Sequence, residues 1–279
     1  MSNFEDVIAP PKGFISIDWR ELWRYRDLFL VLAWRDIAVR YKQTAMGIAW
    51  AMFQPFISMV VFTVIFSIIF HIESGDKTPY PVFVGIGQLF WLYFSGTLTD
   101  ASNSMVTNAQ MIQKIYFPRI IIPASAATTR LVDMAIASLL LLGIMLFYGL
   151  KPQLVGLLIF PILLICSITS ALGLGLFLAA INVKYRDVRY ALPFFIQIMM
   201  YVTPVIYPVT MLDGHPVAKT LMLWLNPIAG VITNARAGIV GNSPIDWYAM
   251  GASATTSLVL LLFGLYYFRN TERYFADIV

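Results

Sequence analysis

The chain has 279 residues, of which 59% are hydrophobic and only 12% are charged, and its mean hydropathy is +0.75. A soluble domain carries about 25% charged residues, so this composition excludes a soluble globular protein and indicates that much of the surface faces lipid. The net charge of +4 does not indicate a nucleic-acid partner, because the basic residues flank apolar runs, and the single cysteine, Cys166, excludes an internal disulfide framework.

The first 47 residues are predicted to form a cytoplasmic N-terminal region, and residues 48–279 a transmembrane domain. Within the first region, the segment Trp19–Lys42 is charged and rich in tryptophan, and its apolar run is too short to cross a bilayer. At 100° per residue, five charged residues fall within one arc of roughly 80°, with Leu22, Phe29 and Ala33 roughly opposite; the five are Arg20, Arg24, Asp27, Arg35 and Lys42. We therefore predict an amphipathic helix that lies along the membrane interface. An ordinary soluble helix packed on a partner protein is the alternative.

Six apolar segments reach the length of about 20 residues that a membrane-spanning helix needs. These segments are Ile48–Phe70, Val84–Val106, Ser125–Tyr148, Leu154–Ile181, Tyr190–Val209 and Tyr248–Phe268. The sequence therefore predicts an all-α membrane protein with six transmembrane helices.

Lysine and arginine are distributed unevenly between the two sides of these segments. Fourteen of the 19 lie in the N-terminal region, the second and fourth connections and the C-terminal tail, whereas the opposite connections hold four. Because cytoplasmic loops are enriched in basic residues, we predict a multi-pass protein with both termini in the cytoplasm.

The second inner connection, Asn108–Ala124, mixes apolar and basic residues in a way that is unusual for a solvated loop. A short amphipathic helix that docks into a cytoplasmic partner would explain this mixture. The apolar residues that we expect to be exposed there are Ile112, Ile115, Tyr116 and Phe117. The fourth connection, Asn182–Tyr190, has the same character in a shorter form.

The last outer connection, from Thr210 to Trp247, contains apolar pieces that are too short to cross the membrane. Asn226-Pro227 and Gly230 are expected to divide it into half-length helices. Such a segment is typical of re-entrant or interfacial hairpins, which are tolerated where protein or water covers the backbone. A plain surface loop is the alternative.

Three ionisable residues fall inside the predicted spans: Asp100, Arg130 and Asp133. Such residues are costly in a membrane, and Asp133 follows Arg130 by one helical turn, at a spacing where side chains meet. We favour a neutral cluster that pins two helices together over a proton relay, which would need acids without a fixed counter-charge. The sequence has no phosphate-binding loop and no metal-ligand spacing around His71 or His215, so we predict neither enzymatic activity nor a metal site.

Aromatic residues are abundant, with 7 Trp, 14 Tyr and 20 Phe. Aromatic faces pack against the C–H faces of sugar rings, and their polar tips bond hydroxyl groups, so a wall of them would let a glycan slide. The candidates for such a wall are Phe53, Phe56, Phe90, Trp91, Tyr93, Phe94 and Tyr201. Lipid contact or helix packing is the alternative for each of them.

Four segments together resemble the permease subunit of type-2 ABC exporters of polysaccharides. They are Trp34–Pro55, Asn108–Pro123, Asn182–Tyr190 and Asn226–Gly241, and they occur in the family's order. Ile120 is a departure, because an acidic residue is common there in the family.

The resemblance implies a homodimer in the bacterial inner membrane, with two copies of a separate ATPase subunit that binds ATP and Mg²⁺, so that no cofactor is expected on this chain. It implies that one inner segment receives the ATP-driven motion: Gln110, Met111, Ile112, Gln113, Lys114, Ile115, Tyr116, Phe117, Pro118 and Arg119. A second ATPase contact would involve Lys184, Tyr185 and Arg186, and an outer gate would involve Asn226, Pro227, Asn234 and Arg236.

The cargo that the resemblance implies is an undecaprenyl-linked polysaccharide of the O-antigen type, with teichoic acid or capsule as alternatives. An ATP-independent secondary transporter and a membrane transferase acting on polyprenyl lipids are alternatives from other classes.

Overall fold

The structure, a computed structural model, describes residues 19–42, 49–185 and 187–272. Every regular element within these ranges is helical, which confirms the predicted all-α class. The predicted N-terminal region before Trp19, the first residue of the first predicted span, Ile48, and the predicted contact residue Arg186 lie outside the described residues. So do two of the basic residues that entered the orientation argument, Lys12 and Arg273.

Among the described residues, seven α-helices lie between Trp19 and Lys184. They are α1 Trp19–Arg24, α2 Arg26–Lys42, α3 Ala49–Phe62 with a π-helical continuation Thr63–Ile69, α4 Tyr80–Thr107, α5 Ala109–Lys114, α6 Ile121–Phe147 and α7 Leu154–Lys184. The C-terminal part adds α8 Val188–Val202, a short 3₁₀ helix Val209–Leu212, α9 Pro216–Leu225, α10 Ala229–Val240 and α11 Trp247–Glu272.

Five of the described helices are long and apolar enough to cross a membrane: α3 with its continuation, α4, α6, α7 and α11. The fifth predicted span, Tyr190–Val209, is instead the 15-residue α8, which at 1.5 Å per residue is about 22 Å long and shorter than a bilayer core of about 30 Å. The helix ends at Val202 because Pro204 disfavours a helical conformation at Thr203, which is extended. The total of six spans stays a prediction.

The hydrophobic core surrounds α4, whose Phe90, Phe94 and Leu98 are fully buried against α6, α7 and α10. The helices α7 and α11 cross where two glycines meet. A Cβ added to Gly264 would lie 1.9 Å from the carbonyl oxygen of Gly173, so the close approach of these backbones requires glycine at this position.

A second apolar cluster closes one end of the bundle, which we call the α5 end. Here Leu32 of α2 packs with Ile112, Phe117, Leu176 and other residues from α4 to α11. The helices α9 and α10 lie toward the opposite end, which we call the α10 end. As predicted for the interface helix, Leu22 and Phe29 face the bundle and Ala33 is buried, whereas the tryptophans on this segment are exposed.

Candidate functional site

An ionic network links three helices near the α5 end. The guanidinium of Arg130 on α6 donates two hydrogen bonds, of 2.6 and 2.9 Å, to the carboxylate of Asp100 on α4. It also lies 3.3 Å from the carboxylate of Asp133, one turn along α6. From α2, Arg40 donates to Asp100 at 2.8 Å and also to Asp133. The hydroxyl of Tyr41 donates to the second oxygen of Asp133.

The structure therefore brings together Asp100, Arg130 and Asp133, as the sequence predicts, and adds Arg40 and Tyr41. The charge pattern within the predicted spans does not reveal Arg40 and Tyr41, because both residues precede the first span. Desolvation raises the pKa of Tyr41 above its ordinary value, and the hydrogen bond to Asp133 raises it further, so its phenol is a stable donor.

The ionic network lies level with the beginning of the first span. Trp50 and Gln54, from the first turns of α3, line the same cavity as Arg40 and Arg130. Each acid in the network has two arginine partners. This geometry favours a pin between α2 and the bundle over a proton relay, because the acids have fixed counter-charges.

The cavity beside the ionic network has a volume of about 530 Å³ and lies between α2, α3, α4, α6 and α8. Its lining combines charged, uncharged polar and aromatic side chains. They include Tyr41, Trp50, Gln54, Tyr93, Ser95 and Thr99. This mixture distinguishes it from the groove of about 550 Å³ between α3 and α6, which apolar residues line almost throughout.

The predicted docking segment at the α5 end has an exposed face and a buried face. Ile115 and Tyr116 are exposed, with 68% of Tyr116 accessible, whereas Ile112 and Phe117 are buried, with only 3% of Phe117 accessible. The expectation that Ile112 and Phe117 are exposed was wrong, because both residues pack into the second apolar cluster.

The other residues of this segment divide in the same way. Gln110, Gln113 and Lys114 are exposed, Met111 is half-buried, and Pro118 is buried. Arg119 is half-buried, and both its backbone N–H and its guanidinium donate to Glu272 at the end of α11.

On the neighbouring connection, Lys184 and Tyr185 are exposed. Asn182 ties this connection to the end of α4 through hydrogen bonds to Ser102 and Asn103. On the docking segment, partial desolvation of the phenol raises the pKa of Tyr116, and nearby Glu21 and Glu272 raise it further. This phenol is therefore neutral.

The aromatic candidates do not form one wall. Phe53 and Phe56 on α3 and Tyr201 on α8 are exposed. The four aromatic candidates on α4 are buried: Phe90, Trp91, Tyr93 and Phe94. All four form part of the main core, which argues against a role in contacting a polymer, because their faces are already covered by other helices. Tyr93 alone of the four borders the 530 Å³ cavity.

The predicted outer-gate residues are also buried rather than displayed. Arg236 of α10 donates to the backbone carbonyls of Phe83, Pro204 and Val205 at 3.0, 2.7 and 2.6 Å, and its guanidinium lies 3.4 Å from the centre of the Phe83 ring. It therefore joins α10 to the start of α4 and to the break after α8, which is a structural role.

The neighbouring asparagines cap backbone in the same region. The side chain of Asn234 bonds the backbone of Gly230 and, through both its atoms, that of Asp246, and Asn226 bonds the Thr203 hydroxyl at 2.7 Å. As predicted, Asn226 and the buried Pro227 lie in the interruption between α9 and α10. Gly230, which was expected to end a helix as well, lies inside α10. Its lack of a side chain lets α10 approach α11, since an added Cβ would lie 2.1 Å from the carbonyl oxygen of Ala249.

Within the described ranges, no group of three or more histidine, cysteine or acidic residues is placed to hold a metal ion.

Comparison with known proteins agrees with this architecture. The family model for ABC-2 type transporters matches residues 27–240. The chain is 28% identical over 258 residues to the O-antigen export system permease protein RfbA of Myxococcus xanthus, across 92% of this chain and 97% of that protein. Two proteins of the same name from Klebsiella pneumoniae are 26% and 25% identical over 253 residues, across 91% of this chain and 95% of each relative.

Proposed function

This chain belongs to the ABC-2 type transporter family, and we propose that it is the transmembrane subunit of an ABC exporter that moves a lipid-linked polysaccharide across the cytoplasmic membrane. The observation that carries the proposal is the similarity to O-antigen export permeases over nearly the whole length of both chains. The five apolar helices make it a multi-pass membrane protein. As a permease subunit it has no catalytic activity of its own.

The energy would come from a separate ABC ATPase, which binds ATP and Mg²⁺ and docks at the α5 end. This location is supported by the exposed apolar residues Ile115 and Tyr116, which are flanked by the exposed Lys114 and lie at the end that also displays Lys184 and Tyr185. Exposed apolar residues with a basic rim are typical of a protein-binding surface. The α5 end is then cytoplasmic, and both termini with it.

The same segment is built to transmit a push from the ATPase. Ile112 and Phe117 anchor it in the second apolar cluster, Arg119 ties it to Glu272 of α11, and the hydroxyl of Tyr25 donates to the backbone carbonyl of Tyr116 at 3.4 Å. Because packed interiors are rigid, displacement of Tyr116 would move α2, α6 and α11 together.

A second copy of this chain would complete the conduit. The first span, α3, exposes Phe53, Phe56 and further large apolar residues, and Leu192 is the one buried residue that α8 has. Two helices with so little burial are suited to pack against a partner subunit, with the polysaccharide passing between the copies. We therefore propose a homodimer that binds two ATPase subunits, one at each α5 end.

The type of polysaccharide is an O-antigen in the relatives' names, and teichoic acid and capsule remain the alternatives within the same class. An ATP-independent secondary transporter is less well supported, because the intramembrane acids that could carry protons, Asp100 and Asp133, are held in the ionic network.

The test is co-purification of the chain with an ABC ATPase expressed from the same organism, followed by measurement of ATPase stimulation and of polysaccharide at the cell surface. Substitution Tyr116→Asp places a charge on the docking surface and is expected to lower the stimulation at least about tenfold, the loss that about 1.4 kcal/mol of docking energy would produce. The matched control is Val217→Asp, an exposed apolar residue in the first turn of α9 at the α10 end, where a carboxylate suits the helix dipole.

A chain that exports polysaccharide without any associated ATPase would contradict the proposed function. Unchanged stimulation in Tyr116→Asp would contradict only the assigned docking surface.

A further inference from the structure

The cavity beside the ionic network holds polar groups that the ionic network does not use. Gln54 lies in the second turn of α3, on a helix apolar enough to cross a membrane, and its side chain is exposed. Among the described residues, no hydrogen bond to the Gln54 amide is present. An amide facing lipid is unfavourable, so Gln54 requires a polar environment, and the cavity that it lines is the place where such an environment can exist.

The ionic network supplies further polar groups at the same cavity. Arg40, Arg130 and Asp133 border it, and their side chains keep 29%, 24% and 24% of their surface exposed. Together with Gln54, they provide donors and acceptors that a bound polar molecule would contact.

The charge balance of the ionic network indicates which kind of molecule fits. Arg40 and Arg130 are matched by Asp100 and Asp133, so the formal charge is zero and a phosphate would have to displace a carboxylate. A sugar hydroxyl both donates and accepts, and it can therefore bond to carboxylate, guanidinium and amide groups without breaking these pairs.

An aromatic face completes the arrangement. Trp50 borders the cavity with 51% of its surface exposed, and its ring is set edge-to-face against Phe53 with centroids 5.6 Å apart and planes at 83°. This contact fixes the orientation of the indole, whose face can pack against the C–H face of a pyranose ring.

We propose that this cavity is a glycan subsite, in which Trp50 stacks on a sugar ring of the transported polysaccharide, and Gln54 and the ionic network bond its hydroxyl groups. The proposal rests on the proposed function and adds the place where the polymer first contacts this subunit. A volume of about 530 Å³ lies within the range of roughly 300–1,000 Å³ that is usual for small-molecule sites, and it suits one or two sugar units rather than a longer stretch.

The balanced charge of the ionic network also fits such a subsite to transport. One stacked ring and hydrogen bonds to groups that are already paired give weak binding, so a polymer could enter and leave the cavity as the subunit moves. Because Arg40 of α2 and Arg130 of α6 border the cavity, a displacement of α2 would change the shape of the subsite.

The experiment uses the complete transporter in cells that make the polysaccharide. A photoreactive phenylalanine analogue replaces Trp50 in one variant and Trp247 in the control, since Trp247 lies at the start of α11, away from the cavity, and is more exposed (70%) than Trp50 (51%). After irradiation, we expect a polysaccharide adduct at position 50 and none at position 247. In a second arm, Gln54→Leu should lower the amount of adduct at position 50 about fivefold, which corresponds to the loss of one neutral hydrogen bond.

The subsite is overturned if position 50 gives no polysaccharide adduct, if it gives only phospholipid adducts, or if Gln54→Leu leaves the yield unchanged. The proposed function is tested separately by deletion of the chain. Loss of surface polysaccharide on deletion, without an adduct at position 50, would reject the subsite alone, whereas unchanged surface polysaccharide on deletion would reject the function as well.

Discussion

Arg236 allows the sharpest prediction about the α10 end. Its guanidinium is 6% exposed and donates to three buried carbonyl groups, those of Phe83, Pro204 and Val205. The last two follow the end of α8, where no helical N–H is available to bond them. Replacement of Arg236 by methionine keeps most of the side-chain volume but removes all three donors.

The cost can be worked out from these contacts. The Phe83 carbonyl lies inside α4 and keeps its helical N–H donor, so two carbonyls are left without a donor. Each such carbonyl costs about 1–3 kcal/mol, and the substitution is expected to lower the free energy of unfolding by roughly 2–6 kcal/mol. That is a large share of a typical total of about 5–15 kcal/mol. Arg236→Lys should be intermediate, because an ammonium group cannot match the planar fork that reaches three separate carbonyls.

The assay is the thermal unfolding of the detergent-purified subunit together with its monodisperse yield. At about 2 °C per kcal/mol for a chain of this size, Arg236→Met should lower the Tm by at least about 4 °C. The control is Arg26→Met, since Arg26 is largely exposed and surface substitutions change stability by about 0.5 kcal/mol or less. Gly87→Ala should act in the same direction, because its Cβ would lie 2.6 Å from Nη2 of Arg236. A Tm within about 2 °C of wild type for Arg236→Met would refute the structural role of Arg236.

Three further predictions concern the bundle and the α5 end. Gly264→Ala should lower the free energy of unfolding by about 1–3 kcal/mol because it forces two helices apart. The control is Gly143→Ala, whose added Cβ would meet nothing within 4 Å, and it should leave the Tm unchanged. Equal Tm values for the two variants would contradict the close helix crossing. Asp133→Asn removes the carboxylate charge that links α2 to α6. Because the site is partly exposed, we expect the free energy of unfolding to fall by about 1–3 kcal/mol and hydrogen exchange in α2 to become faster. Unchanged exchange in α2 would count against the proposed link between α2 and the bundle. Phe117→Asp should abolish the folded yield because it buries a carboxylate, whereas Tyr116→Asp should fold normally; if both variants fold and differ from wild type only in ATPase stimulation, the anchoring of this segment is wrong.

The features that the sequence predicts well are those set by local composition and periodicity. The apolar runs give five long spans within a few residues: α3 with its continuation, α4, α6, α7 and α11. The periodicity of the segment Trp19–Lys42 places Leu22, Phe29 and Ala33 toward the bundle. The charge spacing also brings Asp100, Arg130 and Asp133 together. These outcomes depend on residues close in sequence or on the requirement that charges in a membrane be paired.

The features that it misses depend on contacts between distant segments. The apolar run of the fifth predicted span continues to Val209, but α8 stops at Val202, and the carbonyl groups exposed by this break are bonded by Arg236 from α10. A hydropathy pattern cannot show that an arginine 32 residues later satisfies this backbone.

Burial within the bundle is equally beyond a single-sequence pattern. Phe53, Phe90 and Phe94 are the same residue type in predicted spans, yet Phe90 and Phe94 are buried in the core and Phe53 is exposed. Likewise Ile112 within α5 and Phe117 just beyond it are buried, whereas their neighbours are exposed. The helix α5 has only six residues, which is too short for periodicity to assign a buried face.

The central claim is most directly tested by the location of finished polysaccharide in cells that lack this chain. Cells are labelled from outside with an antibody or lectin against the polymer, and the total lipid-linked polymer is measured after lysis. The account predicts that surface label falls to background while lipid-linked polymer accumulates inside, and that expression of the wild-type chain restores the surface label. Normal surface label in the absence of the chain would contradict the claim that it is the exporter's transmembrane subunit.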